Sequence, residues 1–231
     1  MLPALLADLE ACPEVKCVVL TRNIPEPPLD PMRPEWLSVI DNPHPKGFGA
    51  NHNAAFRLSD TPYFAVINPD VRLEGDPFLS LLRCLQDGGA ALCAPAVINP
   101  AGNLEDSARE FPRPFDLVAK LFGRYDGRLR YRLGDSSLNA PWVAGMFMLF
   151  RSPDFSSVNG FDEGYYLYYE DVDLCARLWS SGKRVILCPD ARVVHDARRA
   201  SRRNLRHMRW HFASMLRFFI KHVFRQKTSQ I

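Results

Sequence analysis

No stretch of this 231-residue chain approaches the ~20 consecutive apolar residues that cross a bilayer; its longest uncharged apolar run is Trp142 to Phe150. Nor does the N-terminal stretch carry the basic segment of a secretory signal, and Asp8 interrupts its apolar run. A soluble chain is expected. The six cysteines (Cys12, Cys17, Cys84, Cys93, Cys175 and Cys188) include no C-x-x-C pair and have no histidine at zinc-finger spacing. That sets aside a zinc module and a disulfide scaffold, and leaves reduced core thiols in a cytosolic protein. Internal repeats and low-complexity segments are missing too. The turn at Gly47 and Gly49 matches neither the G-x-x-x-x-G-K-[ST] phosphate loop nor the G-x-G-x-x-G dinucleotide turn.

What is present is apolar material for a sizeable core, since 47% of the residues are hydrophobic. The net charge of +3 conceals a division. From Asp196 onward ten Lys or Arg face a single acid, a balance of +9, so the remainder carries −6. A basic tail on an acidic body points to an anionic partner for the tail. That tail reads as one amphipathic helix. Leu205, Met208, Phe212, Met215, Leu216, Phe219 and Ile220 form an apolar stripe, and Arg198, Arg199, Arg202, Arg203, Arg206 and Arg209 crowd its start. Such a helix suits an anionic lipid surface. No helix-turn-helix, zinc or aromatic-sheet motif accompanies the charge, so a nucleic-acid partner is not expected.

Along the chain, Leu2, Leu5, Leu6 and Leu9 predict an opening helix. Val15 to Leu20 and Leu37 to Ile40 predict strands on either side of a proline-rich loop. Further strands are expected at Tyr63 to Ile67, Ala90 to Ile98, Trp142 to Phe150, Arg184 to Cys188 and Ala191 to Val194. Helices are expected at Pro77 to Gln86, at Leu117 to Phe122 and through Val172, Leu174, Cys175 and Leu178. The alternation predicts an α/β fold with a mostly parallel sheet and helices on its faces.

Several short patterns carry chemistry. Between Gly160 and Leu178, five carboxylates (Asp162, Glu163, Glu170, Asp171 and Asp173) surround Tyr165, Tyr166, Tyr168 and Tyr169. Glu170 and Asp171 fall at a helix start, where free N–H groups favour an ionised carboxylate. A fixed carboxylate there suits deprotonation of a hydroxyl, and the rings would offer flat apolar faces to a sugar. An acidic cap beside core tyrosines is the plainer alternative. Gly47 and Gly49 let a backbone turn approach a ligand closely. Asp70, at the C-terminal end of a strand, stands where open α/β sheets bind ligands and where a carboxylate oxygen can hold Mg²⁺ or Mn²⁺. A structural Asn-Pro-Asp turn fits equally well. Gly145 within a strand suggests close approach of a ligand or another backbone. His195 closes the last strand, placed for a metal or a phosphate, or for a structural role.

The ordered set Lys46-Gly-Phe-Gly-Ala-Asn-His-Asn53, Asn68-Pro-Asp70, Trp142-Val-Ala-Gly145, Gly160-Phe-Asp-Glu163 with Glu170-Asp171-Val-Asp173, and His195 resembles the inverting, family-2 type glycosyltransferases of GT-A fold. Bacterial polysaccharide rhamnosyltransferases are among them. The resemblance runs from Leu37 to Phe219 and implies a Rossmann-like nucleotide-diphospho-sugar transferase fold. It implies transfer of a sugar, with inversion, from a nucleoside-diphosphate donor to a saccharide or polyprenyl-diphosphate-linked acceptor. By the same resemblance, Asp171 is the general base with Glu170 as its alternative, and Asp70 and His195 serve a Mg²⁺ or Mn²⁺ ion. Lys46, Gly47, Asn53, Asn68 and Gly145 line the nucleotide-sugar side. The expected organisation is a catalytic domain over residues 1–195 and a basic amphipathic helix over 196–231, in the cytoplasm at the inner face of the plasma membrane.

Three positions depart from the family pattern. Asn68 replaces the first of two acids in the metal motif, and Thr21-Arg22-Asn23 stands where an acid usually reads the nucleobase. A first strand ahead of the opening helix is expected by analogy and is missing, which should leave an apolar strand edge. A degenerate binding relative and a nucleotidyltransferase are the competing readings.

Overall fold

The computed structural model describes residues 1–24, 34–115, 126–195 and 205–224. The expected helix at Leu117 to Phe122 and the cluster Arg198, Arg199, Arg202 and Arg203 lie outside the described residues. Helix α1 (Leu2–Glu10), with Pro3 tolerated in its first turn, buries Leu5 and Leu9. Strands β1 (Val18–Arg22) and β2 (Leu37–Asp41) then pair in parallel as a two-stranded sheet. Next come α2 (Phe48–Phe56), β3 (Tyr63–Ile67), β4 (Val71–Leu73), α3 (Phe78–Asp87) and β5 (Ala90–Ile98). The short strands β6 (Ala108–Arg109), β7 (Leu138–Asn139) and β8 (Trp142–Val143) precede β9 (Phe147–Arg151) and α4 (Ser152–Ser157). The chain continues with α5 (Glu170–Ser180), β10 (Arg184–His195) and α6 (Leu205–Phe219), whose end widens into a π-turn, Ile220–Phe224.

The main sheet has the order β3-β9-β5-β10-β4, with β7 added on β10. Strands β3, β5 and β10 run the same way, and β9 is inserted antiparallel between β3 and β5. All nine residues of β5 are buried, as expected of a strand covered on both faces. Its side chains alternate. Leu92 and Ala94 join a core with Phe150, Phe155, Phe161, Leu174 and Leu178, under α4 and α5. Cys93 and Val97 join another with Leu5, Leu9, Leu81 and Leu85, under α1 and α3.

Two expected strands change form for local reasons. Trp142 to Phe150 divides into β8 and β9, because Gly145 and its neighbours leave the ladder to meet other groups. Arg184 to Cys188 and Ala191 to Val194 merge into one strand, whose register on β5 shifts between Cys188 and Arg192, around Pro189.

Strand β1 on the side away from β2, and β3 on the side away from β9, have no strand partner among the described residues. Both edges line one apolar cavity of about 500 Å³, walled by Leu5, Leu9, Phe48 and Ala55.

Candidate active site

Helix α5 begins abruptly. Tyr168 and Tyr169 both adopt left-handed backbone, at φ 71° and 66°. For side chains of this size such geometry costs on the order of 1–3 kcal/mol per residue and persists only where the surroundings impose it. It turns the chain so that Glu170 and Asp171 open the helix. Asp171 accepts two backbone N–H groups, from Gly145 on Oδ2 at 3.0 Å and from Val172 on Oδ1 at 2.8 Å. Gly145 is closely enclosed there. A Cβ on it would lie 3.1 Å from the Phe48 ring, so the expected close approach is made by Phe48 and Asp171.

Glu170 is only 5% exposed, and its Oε2 is buried without a hydrogen-bond partner. Burial, then the charge of Asp171, push its carboxyl up to about 8. Burial also raises Asp171, but the N–H groups of Gly145 and Val172 oppose that rise. Burial and mutual repulsion oppose ionising both carboxyls at once, and the two N–H groups favour the charged form on Asp171 over Glu170, whose Oε2 has no such donor.

The second pole is Asp70 with His195. Antiparallel pairing of β10 with β4 sets His195 opposite Val71 and so beside Asp70. His195 Nε2 lies 3.2 Å from Asp70 Oδ2. The Asn68 N–H donates to the carbonyl of Met146 at 2.9 Å, which holds the Asn68–Asp70 turn against the residue that follows Gly145. One carboxylate oxygen and one imidazole nitrogen within reach of a single ion fit Mg²⁺ or Mn²⁺. Such ions take their remaining ligands from phosphate oxygens and water. Asn68 contributes its backbone carbonyl to the turn, accepting the Val71 N–H at 3.1 Å.

The glycine turn is docked on the acidic block. A Cβ on Gly47 would meet the carbonyls of Tyr166 and Tyr165 at 2.8 and 3.0 Å, and the Phe48 N–H donates to Tyr166 O. Lys46 is exposed, and its backbone is clasped by Asn23: Lys46 N–H donates to Asn23 Oδ1, and Asn23 Nδ2 donates to Lys46 O. Asn42, buried, donates to both Asn23 and Asn51. Asn23 stands out in the sequence only as part of a departure from the family pattern, and neither its clasp of Lys46 nor the Asn42 network is visible there. Asn53 stands behind the site, with its amide bonded to Phe161 O, Phe161 N–H and Glu163 Oε1.

The expectation of open aromatic faces is corrected for Tyr165, which is fully buried, and narrowed for Tyr166, Tyr168 and Tyr169, which stay half-buried. Helix α6 covers them. Tyr166 stacks on Trp210, Tyr168 bonds His207 and Tyr169 packs on Phe218. The centre of this contact is Asp173, 0% exposed, which receives Arg177, Lys221, His222 and the Tyr165 hydroxyl. Burial would raise its carboxyl, but His222, Arg177 and Lys221 outweigh that and hold it well below the usual range. The spacing Asp173–Arg177 was a readable helical pair; the partners from the tail were not.

Among known proteins, the family described as the N-terminal domain of galactosyltransferase matches residues 135–202. Rhamnosyltransferase WbbL of Escherichia coli strain K12 is 33% identical over 186 residues, 76% of this chain and 70% of that protein. The chain belongs to the GT-A type glycosyltransferases and resembles the bacterial rhamnosyltransferases among them. An N-acetylglucosaminyl-diphospho-decaprenol L-rhamnosyltransferase of Mycobacterium tuberculosis is 32% identical over 139 residues, although the match spans only 45% of its length. Solved structures support the fold of this rhamnosyltransferase relative. A Pyrobaculum calidifontis mannosyltransferase in complex with GDP-Man and Mn²⁺ aligns over 94% of the chain and 61% of its own (TM-score 0.58, 16% identity). GalNAc-T7 with UDP, GalNAc and Mn²⁺ aligns over 80% of the chain and 38% of its own (TM-score 0.58, 11% identity).

Proposed function

We propose that this glycosyltransferase moves a sugar, with rhamnose the leading candidate, from a nucleoside diphosphate to a saccharide or polyprenyl-diphosphate-linked acceptor in surface polysaccharide synthesis, with inversion. The observation that carries this is the Gly145 N–H holding Asp171 beside the segment that braces the Asp70 turn. Base and leaving-group pole thus share one scaffold. Asp171 takes the acceptor hydroxyl proton while that oxygen attacks the anomeric carbon. The bond to the diphosphate breaks on the opposite face, which inverts the centre. Asp70 and His195 would hold the divalent ion, which when bound neutralises charge on the departing diphosphate. Lys46 and Gly47 line the nucleotide side, while Asn53 positions Phe161 and Glu163.

The membrane role belongs to α6. Among the described residues no helix is long and apolar enough to cross a bilayer. Leu205, Met208, Phe212, Leu216 and Ile220 form a stripe exposed to solvent, flanked by Arg206 and Arg209. The opposite face, with Ser214 and Phe218, packs on the body. This geometry suits shallow docking on anionic lipid, where a polyprenyl acceptor would reside. Incubation with a panel of nucleotide sugars, Mn²⁺ and a lipid-linked acceptor tests the transfer. Release of nucleoside diphosphate with a new inverted linkage is expected, and its absence across all donors would reduce the protein to a binding relative.

A further inference from the structure

Three of the six cysteines, remote from one another in sequence, meet on the sheet face opposite α5. Cys84 comes from α3, Cys93 from β5 and Cys188 from β10. Their sulfurs all lie within 4.8 Å of one another, and Cys84 Sγ is 2.6 Å from Cys188 Sγ. Cys93 and Cys188 are buried, while Cys84 is half-buried. Among the described residues this is the sole group of three His, Cys, Asp or Glu side chains close enough to share one ion.

We propose that Cys84, Cys93 and Cys188 form a three-thiolate site for a soft d¹⁰ cation, Zn²⁺ or Cu⁺. Sulfurs bound at ~2.3 Å in tetrahedral geometry lie roughly 3.8 Å apart, so the cluster is close to that scale, and the Cys84–Cys188 pair at 2.6 Å must open by about 1 Å, which rotation of the half-buried Cys84 side chain can supply. Thiolate-only donor sets select such ions over Mg²⁺ or Mn²⁺, so the site does not compete with the Asp70–His195 pole. An entry route exists. A cavity of about 290 Å³, open to solvent and lined by Ser80, Cys84, Cys188 and Asp190, borders two of the three sulfurs and has room for a water as fourth ligand.

On metal binding all three thiols give up their protons to solvent, and three metal–sulfur bonds form with no change in oxidation state. The ion would staple α3 and β5 to β10, seven residues upstream of His195 on the same strand.

The test uses the full chain, reduced and stripped of metal, titrated with Cd²⁺ as a spectroscopic substitute, then with Zn²⁺ and with buffered Cu⁺. One equivalent should produce a thiolate charge-transfer band. At ~100-fold excess over Kd it should raise the melting temperature by roughly 5–10 °C. Cys93→Ala should abolish the band. Cys84→Ser, at the half-buried position, should weaken binding at least tenfold even if Cys93→Ala folds poorly. Cys17→Ser, on the surface, should change nothing. No band, a band that survives Cys84→Ser together with Cys188→Ser, or formation of a Cys84–Cys188 disulfide with no metal uptake after reduction would each overturn the proposal.

Discussion

Gly145 N–H donates to Asp171 Oδ2 at 3.0 Å, across 26 residues of sequence. This bond joins the start of α5 to the segment between β8 and β9 and fixes one oxygen of the proposed base. The carboxylate is therefore oriented before any substrate arrives.

Asp171→Asn should lower kcat by about 10²–10⁴-fold with little change in donor KM, because it removes a base while keeping the side chain's size, at the cost of the one N–H acceptor that its amide nitrogen replaces. Steady-state kinetics with Glu170→Gln alongside will assign the role. Near-normal turnover in Asp171→Asn, with loss in Glu170→Gln, would transfer the base to Glu170.

Glu170 makes stability depend on pH. Its folded value of about 8 lies above the ordinary 4.5, so the folded protein binds the extra proton between these limits. Stability from this group is complete below the ordinary value and is lost as pH rises through about 8. Glu170→Gln should remove that slope and leave the variant more stable than the parent at pH 8.5, by on the order of 1–4 kcal/mol. Urea melts at pH 5.5 and 8.5 read it directly, and parallel pH profiles for the two proteins would refute the burial argument.

Asp70→Ala and His195→Ala should each weaken Mn²⁺-dependent binding of the nucleoside diphosphate at least tenfold while lowering the melting temperature only slightly. Calorimetric titration with and without Mn²⁺ separates the effects. A metal dependence identical to the parent would make the Asp70–His195 pair structural.

Phe212→Glu combined with Leu216→Glu should reduce co-sedimentation with anionic vesicles about tenfold or more, since each ring or branched chain withdrawn from water is worth roughly 1.5–3 kcal/mol. Both residues already face solvent, so melting should not change. Unaltered sedimentation would leave the stripe without a lipid role.

Asp173→Asn should destabilise the protein by roughly 3–5 kcal/mol at pH 7, because Arg177, Lys221 and His222 lose their shared anion. The parent should lose the same contribution only in strong acid, as pH falls through the depressed folded value of Asp173. Proteolysis within α6 would report detachment of the tail.

What the sequence revealed tracks how local each signal was. Helix α5 and its leading carboxylates were readable because Val172, Leu174, Cys175 and Leu178 keep helical spacing. The Asp70 turn was readable because a strong strand ends there. Other features depend on pairing between distant segments. Asp70 meets His195 through antiparallel β4–β10 pairing, and Gly145 meets Asp171 through the turn that splits a predicted strand. The α6 contacts with Tyr165, Tyr166 and Asp173 were hidden for the same reason. A sequence marks a residue as aromatic or acidic but does not say which distant helix will cover it. The assembly of Cys84, Cys93 and Cys188 likewise arises from three elements whose cysteines share no spacing.

The cavity between β1 and β3 has a consequence for how the protein opens. Along each bordering edge, alternate amides of Val18–Leu20 and Tyr63–Ile67 point away from the strand they pair with. Amides of β5 instead sit between β9 and β10. Deuterium should therefore enter β1 and β3 through small local fluctuations, while the protons of β5 wait for global unfolding. The proposed chemistry would then sit on a boundary between a slowly exchanging half, holding Asp171 and His195, and a quickly exchanging half that carries the glycine turn.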